Sequence, residues 1–347
     1  MHIVLVGDLF IPGESCIDEL REITQLYGAS YSVLDWESKD LEELNGRMIN
    51  MEQNGPSAEP PPAELWPLME NVDVLIVHFC PVSDALLESA PHLNVIGTMR
   101  TGLSNIDTAA AEKRNIDVVN LPGRLADSVS EYTIGLMIAE SRNIARSHEA
   151  LRRGRWVKDY CNTSFCFELT GKTVGLIGFG EIGKKVARKL SGFDARILSY
   201  DPMVPAETMQ AMDVEKVELC DLLRESDIVS THVKLNESTR GLIGKEELAV
   251  MKPTSILINT ARAAIMDREA LFEALSERSI AGAAIDVFWT EPVDPQDPIL
   301  HLENITVTSH LAGSTQDALM KSFAKLNKQL TPYYERLNRI SEGGIKP

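Results

Sequence analysis

The chain has 347 residues, of which 44% are hydrophobic, and it carries a formal net charge of −17 at pH 7. This length suits two domains of ordinary size, each able to bury its own core. The strong negative charge argues against nucleic acid or an anionic membrane surface as a partner, because both would be repelled at long range. A small anionic substrate held by local positive groups remains compatible with it.

The sequence predicts neither secretion nor membrane spanning nor a metal site. There is no run of 18 apolar residues, and residues 1–7 have the pattern of a core strand rather than a leader peptide, so we expect a cytoplasmic protein. The five cysteines are odd in number and lack paired metal-ligand spacing. We therefore expect reduced thiols and no metal site.

The first third of the chain alternates short β-branched runs with helical patterns, which is typical of parallel α/β units. The predicted strands cover residues 3–6, 31–34, 74–77, 95–97 and 117–120. Residues 54–62 interrupt the series with a glycine and four prolines, which oppose both helix and central strand. We interpret this segment as an exposed loop, an insertion without chemistry.

The remainder of the chain continues the same pattern after one long predicted helix. Residues 127–153 have amphipathic helical spacing and connect the two halves. A second α/β series has predicted strands at residues 174–178, 197–200, 228–233, 255–259, 283–287 and 305–308. A final helix is predicted over residues 316–337, where the chain leaving the second sheet can return to the first half.

A GxGxxG pattern at residues 178–183 directly follows a predicted strand and opens a helix. Gly178 permits the tight turn, Gly180 lets the backbone approach a pyrophosphate, and Gly183 lets helix and strand pack closely. The phosphates would sit at the helix N-terminus, where N–H groups and the dipole favour an anion. Asp201, at the end of the next strand, would bind ribose hydroxyls and repel a 2′-phosphate, which predicts NAD rather than NADP. The structural alternative is a strand-turn-helix without a ligand.

Three side chains capable of chemistry, Arg262, Glu291 and His310, follow later predicted strands. Because ligands bind outside the carboxyl ends of strands in a doubly wound sheet, we expect the three to converge beside the nicotinamide. A histidine titrates near neutrality and can exchange the hydroxyl proton of a 2-hydroxy acid. Glu291 would orient that ring and favour imidazolium, and Arg262 would hold a carboxylate. His232 competes for the acid/base role, although its strand setting favours a buried or cofactor-edge histidine.

The sequence resembles the D-isomer-specific 2-hydroxyacid dehydrogenases, an NAD-dependent family that includes phosphoglycerate, glycerate and formate dehydrogenases. The resemblance covers nearly the whole chain. Its matching pieces are GLIGFGEIG at 175–183, YDP at 200–202, NTARAAIMD at 259–267, AAIDVFWTEP at 283–292 and SHLAGST at 309–315. Each piece alone is common, but together they are specific.

The resemblance implies a site and a fold. The implied catalytic triad is Arg262, Glu291 and His310, and the implied cofactor contacts also include Glu181, Ile182, Thr260, Asp286 at the nicotinamide amide, and His310 itself. The implied fold is α/β, with two Rossmann-like or flavodoxin-like domains built on parallel sheets. A discontinuous substrate domain takes residues 1–120 plus 316–347, and an NAD-binding Rossmann domain takes residues 121–315. The family forms two-fold dimers through the region of helix 127–153, so we expect a homodimer.

The substrate side of the resemblance lies in RTGLSNID at residues 100–107. Backbone N–H groups around Thr101 and Gly102 would form a nest for the substrate carboxylate. Arg100 is either a substrate ligand or a salt-bridged strand end. His78 and Phe79 stand where phosphoglycerate dehydrogenases tend to have an Arg-Ser pair. We therefore predict a non-phosphorylated acid, whose hydroxyls could use His78.

Two functions of different class fit these residues. The first is an NAD-dependent dehydrogenase that interconverts a small D-2-hydroxy acid and its 2-oxo acid, with 3-phosphoglycerate as the alternative substrate. The second is an NAD(H)-sensing interaction protein, because transcriptional corepressors resembling this family keep the fold and the dinucleotide site. The presence of Arg262, Glu291 and His310 together favours the enzyme.

Overall fold

A computed structural model describes residues 1–343, and the chain divides into two compact units. Unit 1 comprises residues 1–124 together with the residues from Thr315 onward, and unit 2 comprises Leu125–Ser314. The predicted domain limits, at residues 120 and 316, lie close to these boundaries. Every strand pairing in both units is parallel, which confirms the predicted α/β class.

Unit 1 is built on a five-stranded sheet with the order β2-β1-β3-β4-β5. Its strands are β1 (His2–Gly7), β2 (Ser30–Asp35), β3 (Val74–Val77), β4 (Val95–Thr98) and β5 (Asp117–Val119). The helices between them are α1 (Ile17–Tyr27), α2 (Leu41–Asn54), α3 (Leu65–Met69), α4 (Asp84–Glu88) and α5 (Thr108–Lys113). Successive residues of β1 point to opposite faces, so Val4 packs in one buried cluster and Leu5 in another. Both faces of the sheet are therefore covered, as parallel sheets require.

Unit 2 contains a seven-stranded sheet with the order β12-β11-β10-β9-β6-β7-β8. Its strands are β6 (Thr173–Ile177), β7 (Arg196–Tyr200), β8 (Val214–Lys216), β9 (Ile228–Thr231), β10 (Ile256–Asn259), β11 (Gly282–Ile285) and β12 (Ile305–Val307). Its helices are α6 (Ala126–Ser141), α7 (Ile144–Arg152), α8 (Glu181–Leu190), α9 (Ala206–Gln210), α10 (Leu219–Glu225), α11 (Lys245–Val250) and α12 (Arg268–Ser276). The chain crosses over between β6 and β9, and ligands of doubly wound sheets bind at such a reversal of strand order.

The last helix, α13 (Gln316–Gly343), belongs to unit 1 and extends further than the predicted range 316–337. It lies directly on the sheet. A Cβ atom at Gly97 of β4 would come within 2.9 Å of a methyl carbon of Leu330, so a larger residue there would require the Leu330 side chain to shift. The predicted return of the chain to its first half is observed.

Three local predictions differ from the structure. The predicted helix 127–153 is two helices, because Asn143 adopts a left-handed conformation with φ 55° between α6 and α7. Strand β8 was not predicted, since it is a three-residue edge strand with two exposed residues. The segment 54–62 contains a 3-10 turn at Pro56–Ala58, because proline is tolerated at the first position of a helical turn.

Two absences concern only residues 1–343. Within that range, no helix combines the length and the apolar character needed to cross a membrane. In the same part of the chain, no group of three or more His, Cys, Asp and Glu side chains is placed to hold a metal ion. All five cysteines are free thiols.

Candidate active site

The glycine turn after β6 has the close packing that its sequence predicts. Gly178 has φ 103°, and a Cβ there would lie 2.8 Å from the backbone carbon of His232. A Cβ at Gly183 would lie 2.3 Å from the carbonyl oxygen of Gly178. Any side chain at either position would push the turn away from the sheet or from α8, so both glycines are required by the fold itself.

Gly180 has a different environment from the other two glycines. It is the N-cap of α8, and a Cβ at this position would meet no atom within 4 Å. The first N–H groups of an α-helix have no intrahelical partner, and they carry the positive end of the helix dipole. Glu181 and Ile182 are the first two residues of this helix. The open space at the Cβ position of Gly180, beside the start of this helix, leaves room for the predicted pyrophosphate of a dinucleotide.

Asp201, directly after β7, is held next to the glycine turn by two backbone hydrogen bonds. Its Oδ2 accepts from the N–H of Phe179 at 2.9 Å, and its Oδ1 accepts from the N–H of Met203 at 2.9 Å. Each carboxylate oxygen can accept more than one hydrogen bond. The remaining capacity fits the two hydroxyls of an adenosine ribose, in agreement with the cofactor preference predicted from the sequence.

The clearest contact among the predicted catalytic residues joins Glu291 and His310. Nδ1 of His310 lies 2.8 Å from Oε2 of Glu291, and the N–H of Phe288 donates to Oε1 at 2.9 Å. The side chain of His310 is 45% exposed and that of Glu291 is 39% exposed. Both line a cavity of about 800 Å³ in unit 2. Burial would raise the pKa of Glu291, but the hydrogen bonds from His310 and Phe288 and the nearby charge of Arg262 hold it below its ordinary value. Glu291 is therefore a carboxylate at neutral pH.

Arg262 lies just beyond the end of β10 and is exposed. Its Nη1 donates to the carbonyl of Ala261 at 2.7 Å, and Asn259 donates a side-chain hydrogen bond to its carbonyl oxygen at 3.0 Å. In the described part of the chain, Arg262 forms no ion pair. Its charge acts on Glu291, and its guanidinium remains available for an anionic ligand.

Asp286, fully buried at the end of β11, holds the turn that carries His310. Its carboxylate accepts from the hydroxyl of Thr308 at 2.6 Å and from the N–H groups of Leu311 and Ala312 at 2.9 and 2.8 Å. These bonds fix a turn in which His310 has φ 57°, a conformation that side chains seldom adopt. Asp286 therefore stabilises the turn that carries His310. Its contact with a nicotinamide amide remains a prediction.

Two other predicted positions lie inside unit 2. Thr260 is buried, and its hydroxyl lies 2.8 Å from that of Thr133 on α6, while its cofactor contact remains a prediction. Nε2 of His232 lies 3.0 Å from the hydroxyl of Ser230. Burial of the ring lowers the pKa of His232 to about 4, so this histidine is neutral at physiological pH and is poorly suited to donate a proton.

In unit 1, His78 has a setting that the sequence did not reveal. The side chain is fully buried, with Nδ1 2.9 Å from Oδ2 of Asp8 and Nε2 2.7 Å from Nη1 of Arg124. Both ring nitrogens have protein partners. The expected contact of His78 with substrate hydroxyls remains a prediction, and in this arrangement both ring nitrogens already contact protein groups.

The loop after β4 keeps the donors that were predicted for a carboxylate. Arg100 lies over the ring of Phe79 at 4.1 Å, donates to the side-chain oxygen of Asn105 at 3.1 Å and lies 3.5 Å from Glu52. These contacts fit the salt-bridged strand end, and the role of Arg100 as a substrate ligand remains a prediction. Among residues 1–343, the backbone N–H groups of Thr101 and Gly102 donate to no protein acceptor.

Sequence reasoning missed Asp8 and Arg124. A sequence signal was present for both, since Asp8 directly follows β1 and Arg124 lies in the turn between β5 and α6. The rule that led to Arg262 and His310, a polar residue just beyond a strand, applies equally to these two positions.

Comparisons with known proteins identify the family to which this chain is similar. Residues 134–312 match the family model of the "D-isomer specific 2-hydroxyacid dehydrogenase, NAD binding domain". A hydroxypyruvate reductase of Thermotoga maritima is 41% identical over 260 residues, which cover 74% of this chain and 82% of the relative. A D-3-phosphoglycerate dehydrogenase of Methanocaldococcus jannaschii is 41% identical over 258 residues, 74% of this chain but only 48% of the relative. The chain therefore matches about half the length of that second protein.

A solved structure extends the likeness to the whole fold. The D-lactate dehydrogenase of Lactobacillus jensenii with NAD+ has a TM-score of 0.73 and 24% sequence identity, covering 98% of this chain and 97% of that chain. At this level of identity the likeness concerns the arrangement of strands and helices alone.

Proposed function

The chain belongs to the D-isomer-specific 2-hydroxyacid dehydrogenases, which are NAD-dependent, and from this premise we propose that it interconverts a small, non-phosphorylated D-2-hydroxy acid and its 2-oxo acid. The observation that carries this proposal is the 2.8 Å contact between His310 and Glu291 beside an open cavity. The reaction requires a group that removes the hydroxyl proton as hydride leaves C2, and a carboxylate-oriented imidazole meets that requirement.

His310 acts as the acid/base of this proposal. Because a carboxylate accepts hydrogen bonds, Nδ1 carries the proton in its contact with Glu291, and the lone pair of the neutral ring lies on Nε2. Nε2 takes the hydroxyl proton during oxidation and returns a proton to the carbonyl oxygen during reduction. The negative charge of Glu291 stabilises the imidazolium that exists between these two events.

Arg262 binds the carboxylate of the acid. It forms no ion pair with the described residues, and its planar fork matches a carboxylate in two parallel hydrogen bonds. These contacts orient C2 of the acid for hydride transfer.

Residues of unit 2 fit the cofactor. The open space before Gly180, the N-terminus of α8 and the anchored carboxylate of Asp201 would hold the pyrophosphate and the ribose. When bound, NAD supplies the acceptor of the hydride, or its donor in the reverse direction. The residues of the protein bind and orient the acid and the cofactor, and they move the proton.

The preference for a non-phosphorylated acid rests on the segment that follows β3. There His78, Phe79 and Cys80 are buried, and none offers a free cation. A phosphate carries nearly two charges and normally requires an arginine fork or several basic donors. 3-Phosphoglycerate is the second candidate, supported by the similarity to the Methanocaldococcus jannaschii enzyme over about half of that protein.

We also propose that the protein is a cytoplasmic homodimer. Ile144, Leu151 and Trp156 are large apolar side chains that remain 53%, 56% and 78% exposed on unit 2. A second copy that covers these side chains would remove them from water, as closed two-fold symmetry allows.

The test is a change of absorbance at 340 nm when NADH meets a panel of 2-oxo acids, including glyoxylate, hydroxypyruvate, 2-oxo sugar acids and phosphohydroxypyruvate. Turnover of a non-phosphorylated acid, lost in His310→Ala, supports the dehydrogenase. NADH binding without turnover of any acid would instead favour an NAD(H)-sensing interaction protein. A tenfold preference in kcat/KM for phosphohydroxypyruvate over hydroxypyruvate would assign the phosphorylated substrate.

A further inference from the structure

The cavity that Glu291 and His310 line lies wholly within unit 2 and measures about 800 Å³. This volume falls in the range of small-molecule sites, roughly 300–1,000 Å³. Besides these two residues, its wall contains Thr308 and Ser309 and six apolar residues, which are Phe288, Pro292, Val293, Leu300, Val307 and Leu311. Apolar residues therefore form most of the cavity wall.

Two neighbouring strands of the unit 2 sheet position this wall. The loop after β11 supplies Phe288, Pro292 and Val293, and β12 with the turn beyond it supplies Val307 and Leu311. β11 and β12 pair in parallel, and β12 is the edge strand of the sheet. The cavity thus lies at the carboxyl ends of these strands, where α/β sheets bind ligands.

The cavity wall is anchored in the hydrophobic core of unit 2. Phe288, Leu300 and Val307 are partly buried and pack against the buried cluster that contains Ile285. Leu311, by contrast, remains 46% exposed. The wall is therefore held in place from behind, while part of its apolar surface still contacts water. An apolar ligand group that covers this surface gains the free energy of removing it from water.

The charge of the cavity wall disfavours a second anionic group on the acid. Among the described residues that line the cavity, none is a lysine or an arginine. Although burial raises the pKa of Glu291, the hydrogen bonds from His310 and Phe288 hold it below its ordinary value, so Glu291 is negatively charged. A carboxylate or phosphate that entered the cavity would meet this negative charge and would lose water without gaining a cation.

The side chain of a bound acid begins close to this wall. In the proposed reaction the hydroxyl oxygen of the acid contacts Nε2 of His310 at about 3 Å. C2 follows that oxygen by one bond and the side chain follows C2 by another, each of about 1.5 Å. The first atom of the side chain therefore lies within a few ångströms of His310, which itself lines the cavity. Arg262, whose charge acts on Glu291, is also part of unit 2 and holds the carboxylate at C1.

Resting on the proposed function, we propose that this cavity of unit 2 binds the side chain at C2 of the acid, and that its wall selects an uncharged aliphatic side chain. The substrates are then D-2-hydroxy acids with aliphatic side chains of two to four carbon atoms, and the corresponding 2-oxo acids. Val293 and Leu311 are contacts that such a side chain makes on the wall, and burial of each further methylene group there strengthens binding.

The first experiment measures kcat/KM with NADH for pyruvate, 2-oxobutyrate, 2-oxopentanoate and 4-methyl-2-oxopentanoate. Efficiency should rise along this series and be at least ~10-fold higher for the last acid than for the first, because each added carbon enters an apolar pocket. 2-Oxoglutarate has the chain length of 2-oxopentanoate but ends in a carboxylate, and it should be at least ~10-fold less efficient than 2-oxopentanoate. A flat or falling series, or a preference for 2-oxoglutarate, would overturn the inference while leaving the proposed function intact.

A second experiment changes the cavity wall at Val293. Val293→Thr keeps the size of the side chain and adds a hydroxyl, so the ratio of kcat/KM for 4-methyl-2-oxopentanoate to that for pyruvate should fall at least ~3-fold. Val293→Phe reduces the space in the cavity and should lower the same ratio further. Val250→Thr makes the matched change at a partly buried valine of α11 that does not line the cavity, and it should keep the ratio of the unmodified protein. Equal losses with both acids in the two Val293 variants would give Val293 a purely structural role and contradict the inference.

Binding measurements separate this inference from the proposed reaction and from other occupants of the cavity. 4-Methylpentanoate and propionate have no 2-oxo group to reduce, so their effect on the melting temperature of the NADH-loaded protein reports binding alone. 4-Methylpentanoate should stabilise the unmodified protein more than propionate does at equal concentration, and Val293→Phe should abolish the difference. If no 2-oxo acid is turned over, the proposed function fails, and this comparison still decides whether the apolar site exists. A weaker Kd for NADH or a changed sedimenting mass in Val293→Phe, with unchanged selectivity among acids, would assign the cavity to the cofactor or to a second copy and overturn the inference.

Discussion

Oε2 of Glu291 lies 2.8 Å from Nδ1 of His310, although 19 residues separate the two in the chain. This contact leaves Nε2 as the basic atom of the neutral ring. It also places the negative charge of Glu291 next to Nδ1. Asp286 stabilises the same arrangement, because it accepts hydrogen bonds from backbone N–H groups of the turn that carries His310.

The first prediction concerns this pair. His310→Ala should lower turnover by ~10²- to 10⁴-fold, the usual range for removal of a general acid/base, and should leave the Kd for NADH nearly unchanged. Steady-state kinetics and NADH fluorescence titration measure the two effects. His232→Ala is the matched control, because that histidine is neutral near pH 7. Near-normal turnover in His310→Ala, together with loss of turnover in His232→Ala, would reverse the assignment.

The second prediction concerns cofactor choice. Asp201 presents a carboxylate beside the glycine turn, so kcat/KM should be much larger for NADH than for NADPH. In Asp201→Ala this ratio should collapse, since the repulsion of the 2′-phosphate and the acceptor for the ribose are both lost. Asp201→Asn keeps the size of the side chain and should retain part of the binding of NADH. Equal efficiency with both cofactors in the unmodified protein would contradict the prediction.

The third prediction separates the roles of two glycines. Gly183→Ala should lower the melting temperature, because the new Cβ would meet the carbonyl oxygen of Gly178 at 2.3 Å. Gly180→Ala should fold normally but bind NADH at least ~10-fold more weakly, because its Cβ would enter the space assigned to the pyrophosphate. Gly192→Ala, where a Cβ also meets no atom within 4 Å, is the control for both measurements. Unchanged NADH affinity in Gly180→Ala would show that the pyrophosphate does not bind beside Gly180.

The fourth prediction concerns the pH dependence of stability. Burial lowers the pKa of His232 from its ordinary value of 6.5 to about 4. Between these values the unfolded chain binds a proton that the folded chain does not, so the free energy of unfolding falls as the pH is lowered from 6.5 toward 4. Buried His78 acts in the same direction, since its pKa is also lowered.

The corresponding measurement is the urea midpoint between pH 7.5 and pH 5. His232→Asn should show a flatter dependence on pH than the unmodified protein. His92→Asn, which replaces an exposed histidine, should follow the unmodified curve. Identical slopes in all three proteins would show that His232 is not a cause of the pH dependence.

The fifth prediction concerns assembly. A symmetric homodimer should sediment with twice the chain mass of 38.4 kDa at micromolar concentration. Trp156→Lys should weaken the dimer, because Trp156 is a large apolar side chain that is 78% exposed on unit 2, where we propose that a second copy covers it. Met203→Lys changes an apolar residue that is 87% exposed elsewhere and should leave the mass unchanged. Only monomers of the unmodified protein under these conditions would contradict the expectation.

The sequence by itself was enough for features that depend on neighbouring residues or on a repeating rule. The glycine turn could be predicted because Gly178 and Gly183 lie within a few residues of each other. At both positions a side chain would have no room. The described strands other than β8 were predicted, because parallel strands buried on both faces are short apolar runs, whereas β8 has two exposed residues. Glu291 and His310 were readable because each follows a strand, and the ends of parallel strands meet at one edge.

Only the tertiary structure decided the features that depend on distant partners. Seventy residues separate Asp8 from His78, and 46 separate His78 from Arg124, so no local pattern shows that His78 is buried between a carboxylate and a guanidinium. The helix break at Asn143 also could not be predicted, because the backbone adopts φ 55° there and neither a glycine nor a proline marks the position. Burial and pairing of a polar side chain are set by the neighbours that packing brings to it, and those neighbours lie far away in the sequence.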